Sequence, residues 1–270
     1  MELSFTKMNG AGNDFVVFDN RENQADLTDA QRAKLCDRHR GVGADGVLAI
    51  EKAEGEADLR FRYYNADGGE AEMCGNGARC YARYAARLLD SGKTSLTFET
   101  IAGDLSAEIT GEEVTIAMSD PVDLELDPGV EIMGCDGKIT SINTGVPHAV
   151  VFVSSVADAD VLSWGAAIRH HGHFQPNGTN ANFAEVLAPD HLKVRTFERG
   201  VEGETLACGT GVTAVALLHH LLTGAPSPIK VEVAGGDALT IGFEKSGDET
   251  FSNVTMTGPA DFVFDGTITV

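Results

Sequence analysis

The sequence predicts a mixed α/β protein of the α+β type that is mostly sheet and consists of two equivalent halves. A repeated tetrapeptide, apolar helices that follow both copies, and many short segments of alternating apolar and polar residues support this. The tetrapeptide Cys-Gly-x-Gly occurs at residues 74–77 and 208–211, almost half of the 270-residue chain apart. Repetition at this distance indicates a duplicated fold with one active site between the halves.

Alternation of apolar and polar residues predicts the strands, because successive side chains of a strand point to opposite faces of its sheet. The 31 glycines separate many of these segments, which is typical of small curved sheets with tight connections. The strands predicted from alternation are residues 59–63, 96–100, 114–118, 192–197, 229–233 and 238–243, and two further strands are predicted after turn-rich loops, at residues 15–18 and 181–186.

Two helices are predicted directly after the tetrapeptides, over residues 78–89 and 212–222. The second is apolar on nearly all sides, which predicts a helix enclosed by sheet. The first carries Arg79, Arg83 and Arg87 on one stripe and is otherwise largely apolar. Each helix is predicted to stop at the glycine that follows its last leucine, at residues 92 and 224.

A third helix is predicted at the surface, beginning at Thr28 and ending near Gly41. Gln31 stands three residues after Thr28, so the two can form a capping box. The halves are predicted to divide near residues 119–121, where a strand ends and a connection rich in Pro and Asp begins.

The composition argues against several classes of protein. With 41 acidic and 20 basic residues the formal net charge is −21, and phosphate backbones are bound through Lys and Arg clusters, so nucleic acid is not an expected partner. No apolar run of about 18 residues predicts a membrane span, and no secretory signal is visible, so we expect a cytoplasmic protein. The five cysteines show neither disulfide-framework nor zinc-site spacing.

Cys74 and Cys208 are the candidate catalytic residues. A helix N-terminus carries unpaired N–H groups and the positive end of the helix dipole, which together depress the pKa of a thiol. The same N–H groups bind carboxylates. Two such ends around one substrate would hold its carboxylate, with one sulfur on each face of the α-carbon. They would also stabilise the charge that develops when the α-proton leaves.

Polar side chains in four loops are candidate ligands of an amino acid. Glu holds an ammonium group, Arg a carboxylate and Asn either of them. His148 is a candidate for tuning a thiol, because its own pKa lies near neutrality. The histidines at 170, 171 and 173 are interpreted as a helix end, and no metal is expected. The candidate ligands are Asn13, Asn65, Asn180, Glu198 and Arg199.

These motifs resemble those of the diaminopimelate epimerase family. The resemblance implies an enzyme that interconverts LL- and meso-diaminopimelate in lysine and peptidoglycan synthesis, with no pyridoxal or other cofactor. Many relatives are homodimers, so a homodimer is expected. The motifs occur in order along nearly the whole chain, at residues 8–15, 64–70, 73–80, 180–183, 198–200 and 204–211.

The resemblance also implies an architecture. It consists of two pseudo-symmetric domains, each a curved, mostly antiparallel sheet wrapped around a central helix. The first domain is expected to comprise residues 1–118 plus about 262–270, because the C-terminal strand returns to it. The second is expected to comprise residues 119–261, and the active site to lie in the cleft between them.

Residue roles follow from the same resemblance. It implies that Cys74 and Cys208 are the acid–base pair, and that the five candidate ligands bind substrate. It implies that His148 and Glu198 adjust the thiol pKa values. The implied backbone clamps on the reacting carboxylate are Gly75, Asn76, Gly209 and Thr210.

The sequence departs from the family's pattern at two positions. Val146 stands where many relatives have Asn, and Gly46 where many have Gln, and both are ligand positions in those relatives. Residues 199–204 also form a stretch one residue longer than the common one. A related racemase of another amino acid, such as proline, therefore stays an alternative. An alternative from another class is a thiol–disulfide redox or sensor protein.

Overall fold

A computed structural model describes residues 1–89 and 92–270. These residues form mostly sheet with four helices, and no helix among them is long and apolar enough to cross a membrane. The helices are α1 (Asp29–Cys36), α2 (Gly75–Leu89), α3 (Val161–Arg169) and α4 (Gly209–Thr223), with a short 3-10 helix at Gly172–Phe174. The strands are β1 (Glu2–Gly10), β2 (Asn13–Asp19), β3 (Gly46–Glu51), β4 (Leu59–Asn65), β5 (Glu70–Ala71), β6 (Ser95–Thr100), β7 (Gly103–Thr110), β8 (Glu113–Ala117), β9 (Val122–Glu125), β10 (Ile139–Asn143), β11 (Pro147–Phe152), β12 (Asn180–Ala188), β13 (His191–Glu198), β14 (Gly203–Thr205), β15 (Ile229–Glu232), β16 (Ala238–Lys245), β17 (Phe251–Pro259) and β18 (Asp261–Thr269).

The chain forms two compact units, Met1–Ile116 with Gly258–Val270 and Ala117–Thr257. In the first unit β2–β3 and β4–β6 pair in parallel, whereas β1–β2, β3–β4, β4–β5, β6–β7 and β7–β8 pair antiparallel. The second unit repeats this pattern strand for strand, with β11–β12 and β13–β15 parallel and β10–β11, β12–β13, β13–β14, β15–β16 and β16–β17 antiparallel. This repetition confirms the predicted α+β class with two pseudo-symmetric, mostly antiparallel units.

The helices occupy equivalent places in the two units. α1 and α3 each lie between strands that pair in parallel, and α2 and α4 each follow a short antiparallel strand. The units differ in the strand that pairs with their first hairpin. β9 directly precedes its partner β10 in the chain, whereas β1 pairs with β18, which comes from the opposite end of the sequence.

α2 and α4 are the central helices, each 15 residues long. α2 packs against β1, β2, β3, β4 and β7, and α4 packs against β10, β11, β12, β13, β15 and β16. Val215, Leu217 and Leu218 of α4 are completely buried. Burial of each such side chain contributes about 1.5–3 kcal/mol to folding. In α2, the Tyr81 ring centroid lies 5.0 Å from that of Phe61.

Both central helices begin three residues earlier than predicted. Ala78 N–H donates to Cys74 O at 2.7 Å, and Val212 N–H donates to Cys208 O at 2.9 Å. These are the first bonds of each helix, so the tetrapeptide itself forms the first turn. α4 ends as predicted at Gly224, which takes a left-handed conformation. Residues 90 and 91, before the predicted stop at 92, lie outside the described residues.

The arginine stripe of α2 binds the C-terminal segment of the chain. Arg79 is completely buried, and its Nε donates to Pro259 O at 3.3 Å. The guanidinium groups of Arg83 and Arg87 lie 5.0 and 4.3 Å from the ring centroid of Phe262 on β18. Guanidinium groups are attracted to aromatic faces, so the stripe holds β18 beside α2.

The surface helix α1 begins as predicted but ends earlier. Both hydrogen bonds of the capping box between Thr28 and Gln31 are present. The predicted end near Gly41 is wrong, because Asp37 takes an extended conformation and its carboxylate accepts from His39 N–H at 2.8 Å. This side-chain bond competes with helix continuation, so the helix stops at Cys36.

Asp14 of β2 is the centre of an ion-pair network in the first unit. Its carboxylate lies 2.8 Å from Lys7 Nζ and accepts hydrogen bonds from Arg38 Nη1 at 2.9 Å and Nη2 at 2.8 Å. Burial alone would raise the pKa of Asp14. The hydrogen bonds and charges of Arg38 and Lys7 outweigh burial and lower this pKa to about 2.

Replacement of Asp14 by Asn should therefore destabilise the protein. The native pKa lies below the ordinary value of 3.8, so the carboxylate stabilises the fold above that pH, and the stabilisation disappears as the pH falls through about 2. We expect Asp14→Asn to lower the free energy of unfolding by about 2 kcal/mol at neutral pH. Urea unfolding at several pH values measures this difference, which should shrink on acidification.

Asp19→Asn is the matched control, since Asp19 ends the same strand and pairs with Arg21 at 2.8 Å on the surface. Exposed pairs contribute less than about 1 kcal/mol, so this variant should lose much less stability. Equal losses in the two variants, or an Asp14→Asn deficit that does not change with pH, would contradict the prediction.

Candidate active site

Each unit carries one set of candidate site residues, which we call a half-site. The first half-site surrounds Cys74, the residue that precedes α2. Gly77 N–H donates to Cys74 Sγ at 3.5 Å, so the thiol caps the first turn of its own helix. Cys74 and Gly75 are both partly exposed. The sulfur therefore lies at the positive end of the helix dipole, a position that favours the thiolate.

Asn13 and Asn76 are held in fixed orientations beside Cys74. Asn13 Nδ2 donates to the Asp45 carboxylate at 3.0 Å, and Arg79 Nη2 donates to Asn76 Oδ1 at 2.8 Å. A carboxylate only accepts and a guanidinium only donates, so both amide orientations follow. The two amides then meet through Asn76 Nδ2 and Asn13 Oδ1 at 2.6 Å. The side chain of Asn76 is thus structural, and what it offers a ligand is its backbone.

Asn65 is the last residue of β4, and its side chain is exposed. Its backbone closes a tight turn, because Asn65 N–H donates to Gly69 O and Gly68 N–H donates to Asn65 O, each at 2.9 Å. Gly68 has φ of +89°, and a Cβ there would lie 2.0 Å from Asp29 O, so this turn requires glycine. The turn leads the chain from β4 toward Cys74.

Tyr63 explains why glycine stands at position 46. Gly46 pairs with Asn65 in the sheet, and a Cβ on Gly46 would lie 2.7 Å from both the Tyr63 ring and Tyr64 O. Real Cβ atoms do not approach this closely. The Tyr63 ring therefore occupies the space that a side chain at position 46 would need.

The second half-site is built on Cys208, which precedes α4 and is 9% exposed. Its Sγ lies 3.6 Å from Thr210 Oγ1, and the same oxygen lies 2.9 Å from His148 Nε2. Burial of His148, helped by the positive charge of Arg199, lowers the pKa of this ring to about 3. The imidazole is therefore neutral at physiological pH.

Asn180, Glu198 and Arg199 meet where β12 begins and β13 ends. Asn180 Nδ2 donates to Pro147 O at 3.2 Å, and its Oδ1 accepts from Arg199 N–H at 2.8 Å. This buried amide therefore fixes the backbone of Arg199 beside β11. Thr205 Oγ1 donates to Glu198 Oε2 at 2.9 Å, and Arg199 Nη1 donates to the carbonyl of residue 177 at 3.1 Å.

The remaining cysteines and the histidines at 170, 171 and 173 do not stand at the N-terminus of either central helix. Burial raises the pKa of Cys36 to about 11 and that of Cys80 to about 12, so both thiols stay protonated. The histidine cluster is the predicted helix end: α3 stops before His170, whose Nε2 lies 3.3 Å from the carboxylate of Glu202. Glu202 itself has φ of +56°.

Within its own unit, each set of predicted residues comes together. Cys74, Gly75 and Asn76 lie beside Asn13 in the first unit, with Asn65 at the turn that precedes them. The second unit brings together His148, Asn180, Glu198, Arg199, Cys208, Gly209 and Thr210. Sequence reasoning missed Asp45 and Asn182, which orient Asn13 and His148. Asn182 could have been found from the sequence, because it stands two residues after Asn180 and therefore shares its face of the strand.

Solved structures with the same fold come from several enzyme groups. A PhzF-family phenazine biosynthesis protein of Bacillus anthracis aligns with a TM-score of 0.74 at 18% identity, over 100% of both chains. A probable proline racemase of Agrobacterium radiobacter K84 aligns with a TM-score of 0.70 at 17% identity, over 99% of this chain and 92% of that one. At such identities the likeness shows a shared fold.

Sequence comparison is more specific. The diaminopimelate epimerase of Chlorobaculum tepidum is 43% identical over 267 residues, which cover 97% of this chain and 100% of that protein. The enzyme of the same name from Nitrosospira multiformis is 43% identical over 280 residues, which cover 99% of each. The sequence model of the diaminopimelate epimerase family matches residues 5–124 and 140–263. Since both half-sites fall inside these matches, the chain belongs to the diaminopimelate epimerase family and is an isomerase.

Proposed function

We propose that the protein interconverts LL-2,6-diaminopimelate and meso-2,6-diaminopimelate by a cofactor-free transfer of the α-proton between two cysteines. The repeated helix end carries this proposal: each unit presents one cysteine, followed by glycine, at the N-terminus of an enclosed helix. The names of the relatives support the choice of substrate. We propose, on the same resemblance, that the reaction belongs to lysine and peptidoglycan synthesis.

The chemistry requires one sulfur on each face of the α-carbon. A thiolate on one face takes the α-proton, and the thiol on the other face delivers its proton, so the configuration inverts. Cys74 and Cys208 exchange these roles when the reaction reverses. We therefore propose that the active site lies in the cleft between a first domain of residues 1–118 plus about 262–270 and a second of residues 119–261.

The helix ends stabilise the intermediate in this proposal. Loss of the α-proton transfers negative charge into the carboxylate, which becomes an enediolate. The N–H groups of Gly75 and Asn76, and those of Gly209 and Thr210, are donors fixed by the first turns of α2 and α4. Donors that are already oriented toward the developing charge lower the barrier without reorganisation.

The other end of the substrate carries a second ammonium and a second carboxylate. We propose that Glu198 holds the ammonium and Arg199 the carboxylate, with Asn13 and Asn65 as further ligands. Asn180 contributes by fixing Arg199 through its backbone N–H. Proline has no distal charged groups, so Glu198 and Arg199 favour diaminopimelate over proline as substrate.

Loss of either thiol should remove epimerisation. A positioned acid or base contributes about 10²–10⁴-fold to rate, so Cys74→Ala and Cys208→Ala should each lose activity by at least that factor. The measurement is incorporation of deuterium from D2O at the α-carbon of LL-diaminopimelate. Cys135→Ala is the control, because Cys135 is a partly exposed thiol that precedes neither central helix. Full activity of Cys208→Ala would refute the two-base mechanism.

The same exchange assay separates the alternatives. Deuterium incorporation into LL-diaminopimelate but not into L-proline supports the proposed substrate, and the reverse result identifies a proline racemase. A thiol–disulfide protein would instead form a reversible disulfide and incorporate deuterium into neither amino acid.

We also propose that the protein is a homodimer. On β18, Val263 is 57% exposed and Phe264 is 49% exposed, and large apolar side chains at such positions favour association. Sedimentation equilibrium should therefore give twice the chain mass of 28.5 kDa. A mass equal to one chain across the micromolar range would exclude this proposal.

A further inference from the structure

We propose that Asn182 is a positioning residue that selects the tautomer of His148 and thereby directs the hydroxyl proton of Thr210 onto Cys208. This inference deepens the proposed function, since it rests on Cys208 as one of the two bases. Asn182 is a buried residue outside the predicted site, and the role proposed for it explains how a neutral His148 favours the thiolate of Cys208.

The orientation of the Asn182 amide is fixed by its surroundings. Asn182 is completely buried, so water does not compete for its polar atoms. Its Nδ2 lies 3.0 Å from Ala149 O, and a backbone carbonyl only accepts, so the nitrogen must be on that side. Its Oδ1 accepts from Thr196 Oγ1 at 3.0 Å. The second Nδ2 hydrogen is then directed to His148 Nδ1 at 3.2 Å.

This bond determines where the imidazole proton lies. Because His148 Nδ1 accepts from Asn182, the single proton of the neutral ring is on Nε2. Nε2–H then donates to Thr210 Oγ1 at 2.9 Å. Thr210 still has its own hydroxyl proton, and Cys208 Sγ lies 3.6 Å away. A thiolate has no proton and only accepts, so this arrangement stabilises the thiolate.

The opposite tautomer of His148 would reverse the direction of donation in the hydrogen bonds from His148 to Cys208. An unprotonated Nε2 would accept the hydroxyl proton of Thr210, and the Thr210 oxygen could then only accept from the Cys208 S–H. That arrangement stabilises the thiol. The choice between acid and base at Cys208 therefore depends on the amide of Asn182, two hydrogen bonds away from Thr210.

The backbone of residues 210 and 211 accommodates these hydrogen-bonded side chains. A Cβ on Gly211 would lie 2.4 Å from Asn182 Oδ1, so glycine allows the amide to lie beneath the first turn of α4. Thr144 Oγ1 donates to Thr210 O at 2.8 Å and fixes the backbone that carries the hydroxyl. In the other tetrapeptide the equivalent residue is Asn76, whose side chain binds Asn13 and Arg79 instead.

Charged groups of both signs lie around His148, and burial together with Arg199 keeps the ring neutral. Arg199 disfavours the imidazolium by its positive charge. A cavity of about 170 Å³ beside the ring is also lined by Asp123, Glu125 and His173, and the carboxylate of Glu125 lies 3.2 Å from His173 Nε2.

The first test is the tautomer itself, read from the ¹⁵N chemical shifts of His148 in the substrate-free protein, with His148→Gln used for assignment. We expect a neutral ring protonated at Nε2. Thr196→Val is the matched control, because it removes a partner of Asn182 without changing the amide donors, and it should keep this tautomer. Asn182→Leu should give a mixture of tautomers. Protonation at Nδ1, or at both nitrogens, in the unmodified protein overturns the proposal whether or not a variant folds.

The second test is the ionisation of Cys208, measured as the pH dependence of its alkylation by iodoacetamide and quantified on the Cys208 peptide. Thr210→Val should raise the apparent thiol pKa by about one unit, which leaves tenfold less thiolate on the acidic side. Thr210→Ser should restore the original profile, and Asn182→Leu should shift it in the direction of Thr210→Val. Alkylation of Cys74 in the same samples should not change. An unchanged Cys208 profile in Thr210→Val overturns the proposal.

Neither test requires turnover. Failure of the tautomer or alkylation prediction therefore leaves the epimerase proposal standing. Absence of α-deuterium incorporation would refute the epimerase proposal while leaving the hydrogen-bond chain intact.

Discussion

A helix that is enclosed by sheet leaves its first N–H groups without a carbonyl partner in the helix, and both units are organised around this constraint. Sheet strands cannot pair with these groups, because they point along the helix axis. Cys74 and Cys208 occupy the position before each helix, and glycine follows each of them. The open end of the helix therefore needs an anion, and a thiolate and a substrate carboxylate are the two anions that the proposed reaction supplies.

The two units support this common feature with different chemistry. In the first, Asn13 is oriented by the ionised groups of Asp45 and Arg38, whose side chains form an ion pair at 2.8 Å. In the second, His148 is oriented by the neutral groups of Asn182 and Thr196. A duplicated backbone thus carries two unlike electrostatic environments. A two-base reaction benefits from this difference, since it needs one thiol and one thiolate at the same moment.

Much of the fold follows from local pattern. Local sequence predicts eight of the 18 strands that the structure describes, the repeated tetrapeptide locates both central helices, and the capping box starts α1 at the correct residue. The rest depends on contacts between segments that are distant in sequence or on competing side-chain bonds. α1 ends early because the Asp37 carboxylate accepts nearby N–H groups, and Gly46 is required by a ring on the neighbouring strand. The orientation of Asn182 depends on Ala149 O, which only the pairing of β11 with β12 brings close.

The repeated tetrapeptide shows where a duplicated site can diverge. Its cysteine is needed at the helix end, and its first glycine leaves the N–H groups accessible. Its last glycine lies in a close-packed place, because a Cβ on Gly211 would lie 2.4 Å from Asn182 Oδ1 and one on Gly77 would lie 3.3 Å from Leu48. The third position has no such restriction. It holds Asn in one unit, where the amide binds Asn13 and Arg79, and Thr in the other, where the hydroxyl lies beside Cys208.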